Sequence, residues 1–234
     1  MSTTDPDSTY LTKGSRAAEL GYFDNYLIDN KSCVIVGVQA TAARLSQESA
    51  TAREMIDRYY ERHGRRPQAV AADNTYGNGE LLQWLDDRGI TPYIRVKEYP
   101  NLTPDLYGIE KFTYVPEENY YLCPAGKSLN YMGINKRNRV HRYYSTAKRC
   151  RACEQKPQCT RGQFRTIGIH TCDAARQKAY EVAKTPEFAV ALRQRRKVEA
   201  LFSELKNQIG LRRLRLRRIK FVREQFYLAA VAQI

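Results

Sequence analysis

Hydrophobic and polar positions in the first hundred residues follow strand spacing and helix spacing in turn. Residues 22–28 and 33–39 are two apolar-rich runs joined by a polar turn, which predicts a β-hairpin. Residues 46–63 place apolar side chains at helical intervals, with Ser46 as the predicted N-cap. A strand, a helix and a strand are predicted next, at residues 69–72, 80–88 and 91–96. This order predicts an α/β fold whose later strands are parallel, because a helix connects them.

The rest of the chain has a different pattern. Residues 98–168 scatter Pro, Gly, Tyr and Cys without a sustained apolar period, so we expect an inserted subdomain with little core of its own. Helical spacing returns at residue 172, breaks near Pro186 and resumes over 187–208 and again from 220. The chain stops inside an apolar stretch without a C-cap, which predicts truncation. We therefore predict four regions: a polar, exposed leader at 1–20, the first part of the core at 21–97, a Cys-rich insertion at 98–168, and a C-terminal helical part of the core at 169–234.

The composition is typical of a globular protein of moderate size. With 234 residues, of which 42% are hydrophobic, the chain can bury one medium core. Its longest apolar run, residues 226–232, is far shorter than the roughly 20 residues of a membrane span, and the polar start MSTTDPDSTY is unlike a secretory signal. Six Cys in such a chain are more typical of thiols or metal ligands than of disulfides. We expect a cytoplasmic protein.

Positive charge is concentrated in two blocks. The formal net charge is +14, yet residues 136–165 alone hold ten basic residues and one acidic residue, and residues 191–223 hold twelve and two. The remainder of the chain is net acidic. A solvated helix face would explain scattered Lys and Arg, but this clustering favours contact with the phosphates of a nucleic acid.

Four cysteines lie in the part of the chain that is poor in apolar periodicity. Cys150, Cys153 and Cys159 form the series C-x2-C-x5-C, and Cys123 lies upstream in a CPxG motif. Four thiolates suit a closed tetrahedral zinc site, and a structural Zn²⁺ would supply folding energy that apolar burial cannot supply here. Four ordinary thiols, or a relic site without metal, are the alternative.

Two carboxylates are placed where chemistry on a phosphodiester would need them. Asp73 follows a short buried strand, and ligand sites form at the carboxyl ends of strands in open α/β sheets. A turn or cap aspartate is the simpler interpretation. Glu199 lies on a predicted helix, with Arg195 and Lys206 within about 40° of it beside the apolar face. Surface salt bridges of little energetic value are the alternative for this stripe.

Together these residues resemble the catalytic domain of bacterial insertion-sequence transposases of the DDE class. Arg195, Glu199 and Lys206 match the family's R-x3-E-x6-K signature, although Leu192 replaces the usual Tyr. The family's segment around the second catalytic Asp resembles VAADNTYGNGELLQWL here, and Asp73 stands at the position of that Asp. The family's paired second and third strands resemble LGYFDNYLIDNKSCVIVGVQAT. A Cys-bearing insertion found in one branch of the family resembles CPAGKSL together with CRACEQKPQCT.

The resemblance implies an RNase H-like mixed sheet with flanking helices. It also implies a transposase that acts in DNA transposition by metal-dependent phosphodiester hydrolysis and strand transfer. Asp73 and Glu199 would be catalytic and would bind Mg²⁺ or Mn²⁺, and Arg195 and Lys206 would contact phosphate. The basic run that follows would hold the backbone of transposon ends and target DNA without reading sequence; it consists of Arg212, Arg213, Arg215, Arg217 and Arg218. A second copy of the chain and a full-length transposase are the protein partners left open.

One part of the family's pattern is missing. The first catalytic Asp of the family lies on a strand before the hairpin, and only a short STTDPDS segment precedes the hairpin here. Asp24 and Asp29 are the nearest substitutes, but Asp29 falls at the hairpin turn, and the family usually has a basic residue at the position of Asp24. We therefore expect a sheet that lacks its first strand and a chain that is catalytically inactive alone. A non-catalytic, zinc-stabilised DNA-binding remnant is the alternative function.

Overall fold

The computed structural model describes residues 2–11, 17–43, 47–98 and 103–233. In these residues the protein is a mixed α/β structure with three β-sheets and seven α-helices. The chain divides into two compact units. The first unit is formed by Met1–Lys97 with Ala175–Ile234, and the second unit by Glu98–Ala174.

The predicted β-hairpin forms the first sheet. Strands β2 (Glu19–Ile28) and β3 (Ile35–Ala42) pair in antiparallel register, with Asp24 opposite Ala40 and Asn25 opposite Gln39. Side chains alternate along a strand, so Asp24 and Asn25 point to opposite faces of the sheet.

The start of the chain is part of this sheet and not the exposed leader that its composition predicts. Strand β1 (Thr9–Leu11) pairs antiparallel with the beginning of β2, and Ser8 is buried. Asp5 accepts a hydrogen bond from the Tyr22 hydroxyl at 2.5 Å. Composition could not reveal this packing, because the contacts are made by backbone groups and carboxylates and not by an apolar stripe.

Two parallel strands form a second sheet in the first unit, as the sequence predicts. Helix α1 (Gln47–His63) precedes β4 (Ala69–Ala71), and the 3₁₀ helix Asn74–Tyr76 and α2 (Gly79–Asp86) lead to β5 (Thr91–Tyr93). The predicted N-cap of α1, Ser46, lies outside the described residues. No strand pairing joins this sheet to the hairpin in the residues described. The core beside these elements consists mainly of Ile56, Leu81, Leu82, Leu85, Ile90 and Ile94.

Three helices complete the first unit: α5 (Asp173–Ala183), α6 (Pro186–Asn207) and α7 (Ile219–Val231). The predicted break before α6 occurs at Thr185, whose hydroxyl accepts a hydrogen bond from the N–H of Phe188 at 3.3 Å. Gly210, with φ +76°, follows the end of α6. Helix α7 covers one face of the hairpin, where Val222 and Phe226 pack with Val38. This mixed α/β arrangement is compatible with an RNase H-like domain.

The second unit has a sheet and a core of its own, contrary to the small core predicted for residues 98–168. Its five antiparallel strands lie in the order β10-β9-β8-β7-β6, and Phe112, Leu129, Tyr143 and Ile167 form the core. The prediction failed because tyrosines, which mask an apolar period, supply much of the packing; the rings of Tyr121 and Tyr143 lie 4.8 Å apart. The elements are the 3₁₀ helix Ile109–Lys111, β6 (Thr113–Val115), β7 (Tyr120–Leu122), β8 (Ser128–Asn135), β9 (Val140–Tyr144), α3 (Ala147–Arg151), α4 (Lys156–Cys159) and β10 (Thr166–His170).

Candidate active site and nucleic-acid interface

Asp73 lies just beyond the carboxyl end of β4 and caps the 3₁₀ helix that follows. Its carboxylate accepts hydrogen bonds from the backbone N–H of Thr75, at 2.8 Å, and from the Thr75 hydroxyl. The residue is exposed. Asp73 therefore has the cap role that we considered as the simpler interpretation, and it remains accessible at the end of a strand.

Gly77 fixes the turn that carries Asp73. A Cβ atom at this position would lie 1.9 Å from the backbone carbonyl oxygen of Arg95. The Gly77 carbonyl accepts a hydrogen bond from the N–H of Lys97 at 2.8 Å. Only glycine permits this approach of two backbone segments, so the position of the turn depends on it.

Glu48, in the first turn of α1, is an acidic neighbour of Asp73 that sequence reasoning did not identify. Burial raises the pKa of Glu48 and the Asp73 carboxylate raises it further, whereas Thr75 and Lys97 lower it. Burial, followed by Glu48 and Asp73, also raises the pKa of the Tyr76 hydroxyl. An acidic residue in a first helical turn is ordinarily explained by the helix dipole, so no sequence signal linked Glu48 to Asp73.

Glu199 lies on the surface of α6 in an ion pair with Arg195. The Arg195 Nη2 atom is 2.9 Å from Glu199 Oε1, and the Glu199 side chain is 60% exposed. Lys206, the third residue of the predicted stripe, has its ammonium group 6.0 Å from the centre of the Phe202 ring. Phe202 stacks on Tyr26 of β2 with ring centres 5.0 Å apart. Helix α6 therefore packs on the hairpin about one turn beyond Glu199.

The strand that precedes Asp73 contacts the helix that carries Glu199. Helix α6 packs against β4, the strand that precedes Asp73, and against β5, where Tyr93 meets Phe188 edge-on at 6.3 Å. In the described ranges, no group of three or more His, Cys, Asp or Glu side chains could hold a metal ion. These residues therefore do not gather a complete set of metal ligands around the two carboxylates.

The two substitutes considered for a third carboxylate have very different environments. Asp29 lies at the hairpin turn, is exposed and accepts a hydrogen bond from the N–H of Ser32 at 3.2 Å; contacts with Ser32 lower its pKa. Both carboxylate oxygens of Asp24 are buried, and the Tyr26 hydroxyl lies beside them. Burial raises the pKa of Asp24 to about 7, and the nearby Tyr26 hydroxyl offsets this only in part. Asp29 is thus a turn residue, and Asp24 is an acid whose carboxylate is buried beside a tyrosine hydroxyl and not beside a cation.

The four cysteines of the predicted zinc site line one small cavity in the second unit. The cavity has a volume of about 20 Å³, and basic side chains, among them Lys127 and Arg165, also line it. Burial raises the pKa of the Cys159 thiol; Arg165 lowers it, and the other three cysteines raise it further. The thiols are brought together, but within the described part of the chain they do not form an arrangement that could hold a metal ion. The lining cysteines are Cys123, Cys150, Cys153 and Cys159.

The basic run after α6 forms an exposed loop, which we call the arginine loop (residues 208–218). Leu211 and Leu214 pack against the core beside α7, and the five arginines of the loop are exposed. The Gln225 side chain of α7 accepts hydrogen bonds from two backbone N–H groups of the loop, at 3.1 and 3.2 Å. A loop held in this way presents several guanidinium groups to solvent and suits contact with phosphates.

Comparison with protein families identifies the class of the C-terminal half. A family model described as a transposase DDE domain matches residues 122–233. This match supports a DDE-class transposase fragment. A transposase DDE domain implies DNA as a partner and the use of a divalent metal ion in general. No curated protein and no solved structure matches the chain.

The segment that the family model matches contains most of the predicted site residues. It includes the four cysteines, α6 with Arg195, Glu199 and Lys206, and the arginine loop. It begins after Asp73, so a catalytic role for Asp73 depends on its own motif and position. None of the helices in the described residues is long and apolar enough to cross a membrane.

Proposed function

We propose that the protein is a DDE-class transposase polypeptide that acts in DNA transposition by metal-dependent phosphodiester hydrolysis and strand transfer. The observation that carries this proposal is the family match over the segment that contains the Arg195-x3-Glu199-x6-Lys206 signature. A basic surface alone would explain neither the signature nor the family match. Its place of action would be the nucleoid, in the cytoplasm.

Asp73 and Glu199 are the residues that would hold the catalytic metal ion. Carboxylate oxygens are the ligands that Mg²⁺ and Mn²⁺ prefer, and a bound ion would stabilise charge on the scissile phosphate. The described residues gather no third ligand with them, so we assign no catalytic step to these two alone. We infer that the chain by itself binds DNA without cleaving it.

The separation of the two sheets in the first unit supports an RNase H-like fold without its first strand. The β2–β3 hairpin and the β4–β5 pair are not joined by strand pairing in the described residues. Strand β1 pairs with the start of β2 but with neither β4 nor β5 in the described residues, and a strand that paired with both β2 and β4 would join them into one mixed sheet. In the family that the sequence resembles, this strand carries the first catalytic Asp, so one missing element accounts for both the gap and the missing acid.

DNA contact is assigned to the basic residues of the transposase DDE domain. Arg195 and Lys206 would contact phosphate beside Glu199, and the arginine loop would hold the duplex backbone. Such contacts release counterions from DNA, so binding should weaken steeply as salt is raised. They carry no sequence information by themselves.

The test uses the full chain with a short duplex and with supercoiled plasmid, in the presence of Mg²⁺ or Mn²⁺. We expect salt-sensitive binding and no nicking of the plasmid, for the wild type and for Asp73→Asn alike. Nicking that Asp73→Asn abolishes would show that the chain is active alone. Absence of any DNA binding at low salt would contradict the proposal as a whole.

The second candidate is a non-catalytic, zinc-stabilised DNA-binding module. The convergence of four thiols on one cavity favours it, because Zn²⁺ prefers such a donor set. Metal binding would require the thiols to close on the cavity, since their arrangement in the described residues is not that of metal ligands. Both candidates predict DNA binding that survives Asp73→Asn and is lost on charge reversal of the loop arginines, so DNA binding that also depends on bound Zn²⁺ would support this candidate. Nicking that depends on a divalent ion would exclude it.

Metal analysis tests the zinc site directly. We expect about one Zn²⁺ per chain after purification without chelator, lost in Cys150→Ser/Cys153→Ser and kept in Cys33→Ser. Cys33 is the matched control because it is a free cysteine of the first unit and does not line the cavity. Wild-type protein that contains no zinc, and takes up none when it is supplied, would contradict the site.

A further inference from the structure

We infer that Asp5 and Asp7 are positioning residues that anchor the arginine loop for DNA. The Asp5 carboxylate accepts a hydrogen bond from the backbone N–H of Arg218 at 2.9 Å. The Asp7 carboxylate accepts one from the N–H of Ile219 at 3.0 Å. The inference rests on the proposed DNA-binding role of the loop and adds residues that neither the family match nor the signature includes.

These two bonds cap the start of α7 from a distant part of the chain. The first N–H groups of a helix have no partner within the helix, and they are ordinarily capped by the side chain that precedes it. Arg218 is the N-cap residue of α7, and its side chain makes no capping hydrogen bond. The acceptors come from more than two hundred residues earlier, and their negative charge also suits the helix dipole.

Arg218 needs this anchor because its backbone is in an unfavourable conformation. Its φ is +66°, in the left-handed region that non-glycine residues rarely adopt. Such a conformation persists only where neighbouring contacts hold it. The bond to Asp5 is made by the N–H of the same residue, so the contact acts where the loop turns into the helix.

The segment that carries the two aspartates is itself fixed in the first unit. The Tyr22 hydroxyl of β2 donates to Asp5 Oδ1 at 2.5 Å, and Ser8 donates to the Asp5 carbonyl at 2.7 Å. Burial, together with Asp5, raises the pKa of the Tyr22 hydroxyl, so it keeps its proton and remains a donor. The chain from Asp5 to β1 therefore joins the hairpin to one end of the loop, while Gln225 holds the middle.

Two paired substitutions separate anchoring from simple charge. Asp→Asn removes the negative charge and keeps an oxygen that can accept the N–H, whereas Asp→Ala removes both. If the carboxylates merely repelled DNA, both pairs would bind DNA more tightly. If they anchor the loop, only the alanine pair weakens binding.

The experiment compares Asp5→Ala/Asp7→Ala with Asp5→Asn/Asp7→Asn in the full chain. In the absence of DNA, hydrogen exchange at the N–H groups of residues 218 and 219 should accelerate about fivefold or more in the alanine pair, as expected for loss of a cap. The asparagine pair should stay close to the wild type. With a short duplex, the alanine pair should bind more weakly and with a smaller salt slope, because fewer guanidinium groups contact phosphate together. Asp87→Ala/Asp105→Ala removes the same charge at exposed sites and is the control.

A reference variant keeps this test separate from that of the proposed function. We call Arg212→Ala/Arg213→Ala/Arg215→Ala/Arg217→Ala the loop variant. If the loop variant loses DNA affinity and the alanine pair at Asp5 and Asp7 does not, the inference is wrong and the proposed function stands. If the loop variant binds DNA as the wild type does, the DNA-binding role of the loop fails, and the inference fails with it. Unchanged exchange in the alanine pair would also overturn the inference.

Discussion

Asp24 is a carboxylic acid inside the first unit, on the face of the hairpin that α7 covers. The neighbours on its own face of β2 are Tyr22 and Tyr26, and Ala40 lies opposite. None of these side chains is a cation that could compensate for burial of the two carboxylate oxygens. The sequence could not reveal this state, because a polar residue in an alternating strand is more often on the solvent side. The cap role of Asp73, by contrast, follows from its place between a strand and a turn, which local pattern does show.

The buried acid makes stability depend on pH. Burial raises the pKa of Asp24 to about 7 in the folded state, against about 3.9 in an unfolded chain. Between these values the folded state binds more protons, so stability is highest below about pH 4 and falls until the pH passes about 7. We expect Asp24→Asn to raise the free energy of unfolding by on the order of 2–4 kcal/mol at about pH 8 and hardly at all at about pH 4. Urea unfolding at both pH values measures this, with the exposed Asp87→Asn as control; an equal effect at both values would contradict it.

Glu199 should matter little for folding, whatever its role with DNA. Its pair with Arg195 is exposed and spaced four residues apart on a helix, and such pairs contribute about 0.3–0.5 kcal/mol. We expect Glu199→Gln to change the free energy of unfolding by less than about 0.5 kcal/mol. Leu205→Ala on the same helix, at a side chain only 2% exposed, should cost about 2–5 kcal/mol. Chemical denaturation compares them, and a large loss in Glu199→Gln would show that the residue is structural.

At the scale of elements, the hairpin, the parallel pair and the helices could be predicted because each has a clear period or a clear stop signal. The hairpin has two apolar-rich runs with a polar turn between them, and Thr185 with Pro186 marks the break before α6. The sheet of the second unit was not predicted because its short strands pack with tyrosines. Strand β1 was not predicted because it is held by backbone and carboxylate contacts. Local pattern reports apolar periodicity, and neither of these elements depends on it.

The turn that carries Asp73 gives a prediction at this scale. Gly77→Ala would place a methyl group 1.9 Å from the Arg95 carbonyl oxygen, and a backbone atom cannot move aside as a flexible side chain can. We expect the free energy of unfolding to fall by about 1–3 kcal/mol, measured by thermal or urea unfolding. Gly162→Ala is the matched control, because its nearest contacts lie at ordinary distances of 3.5 and 3.6 Å; it should change stability by less than about 0.5 kcal/mol. Equal effects of the two substitutions would contradict the packing described for Gly77.

At the scale of the whole molecule, the two basic blocks lie in different compact units. Residues 136–165 belong to the second unit, and residues 191–223, with the arginine loop, belong to the first. The sequence alone located both blocks but could not show which of them contacts DNA, since charge counts do not show how the side chains are held. The arginine loop places five exposed guanidinium groups within seven residues and is fixed by hydrogen bonds along its length. The exposed cations of the second unit are spread over several places, among them the turn between β8 and β9, α3 and Arg161.

Replacing four basic residues in one block or the other distinguishes direct contact with DNA phosphates from long-range attraction to DNA. The loop variant and Lys136→Ala/Arg137→Ala/Lys148→Ala/Arg151→Ala lower the net charge equally, so long-range attraction to DNA falls by a similar amount in both. Only direct neutralisation of phosphates sets the slope of log K against log salt, which becomes shallower by about 0.9 for each phosphate that the protein no longer neutralises. We expect the slope to become clearly shallower in the loop variant and to stay near the wild type in the second-unit variant, measured by titrating a duplex at several salt concentrations. A larger change in the second-unit variant would move the DNA-binding surface to that unit, because equal charge removal leaves the place of contact as the only difference.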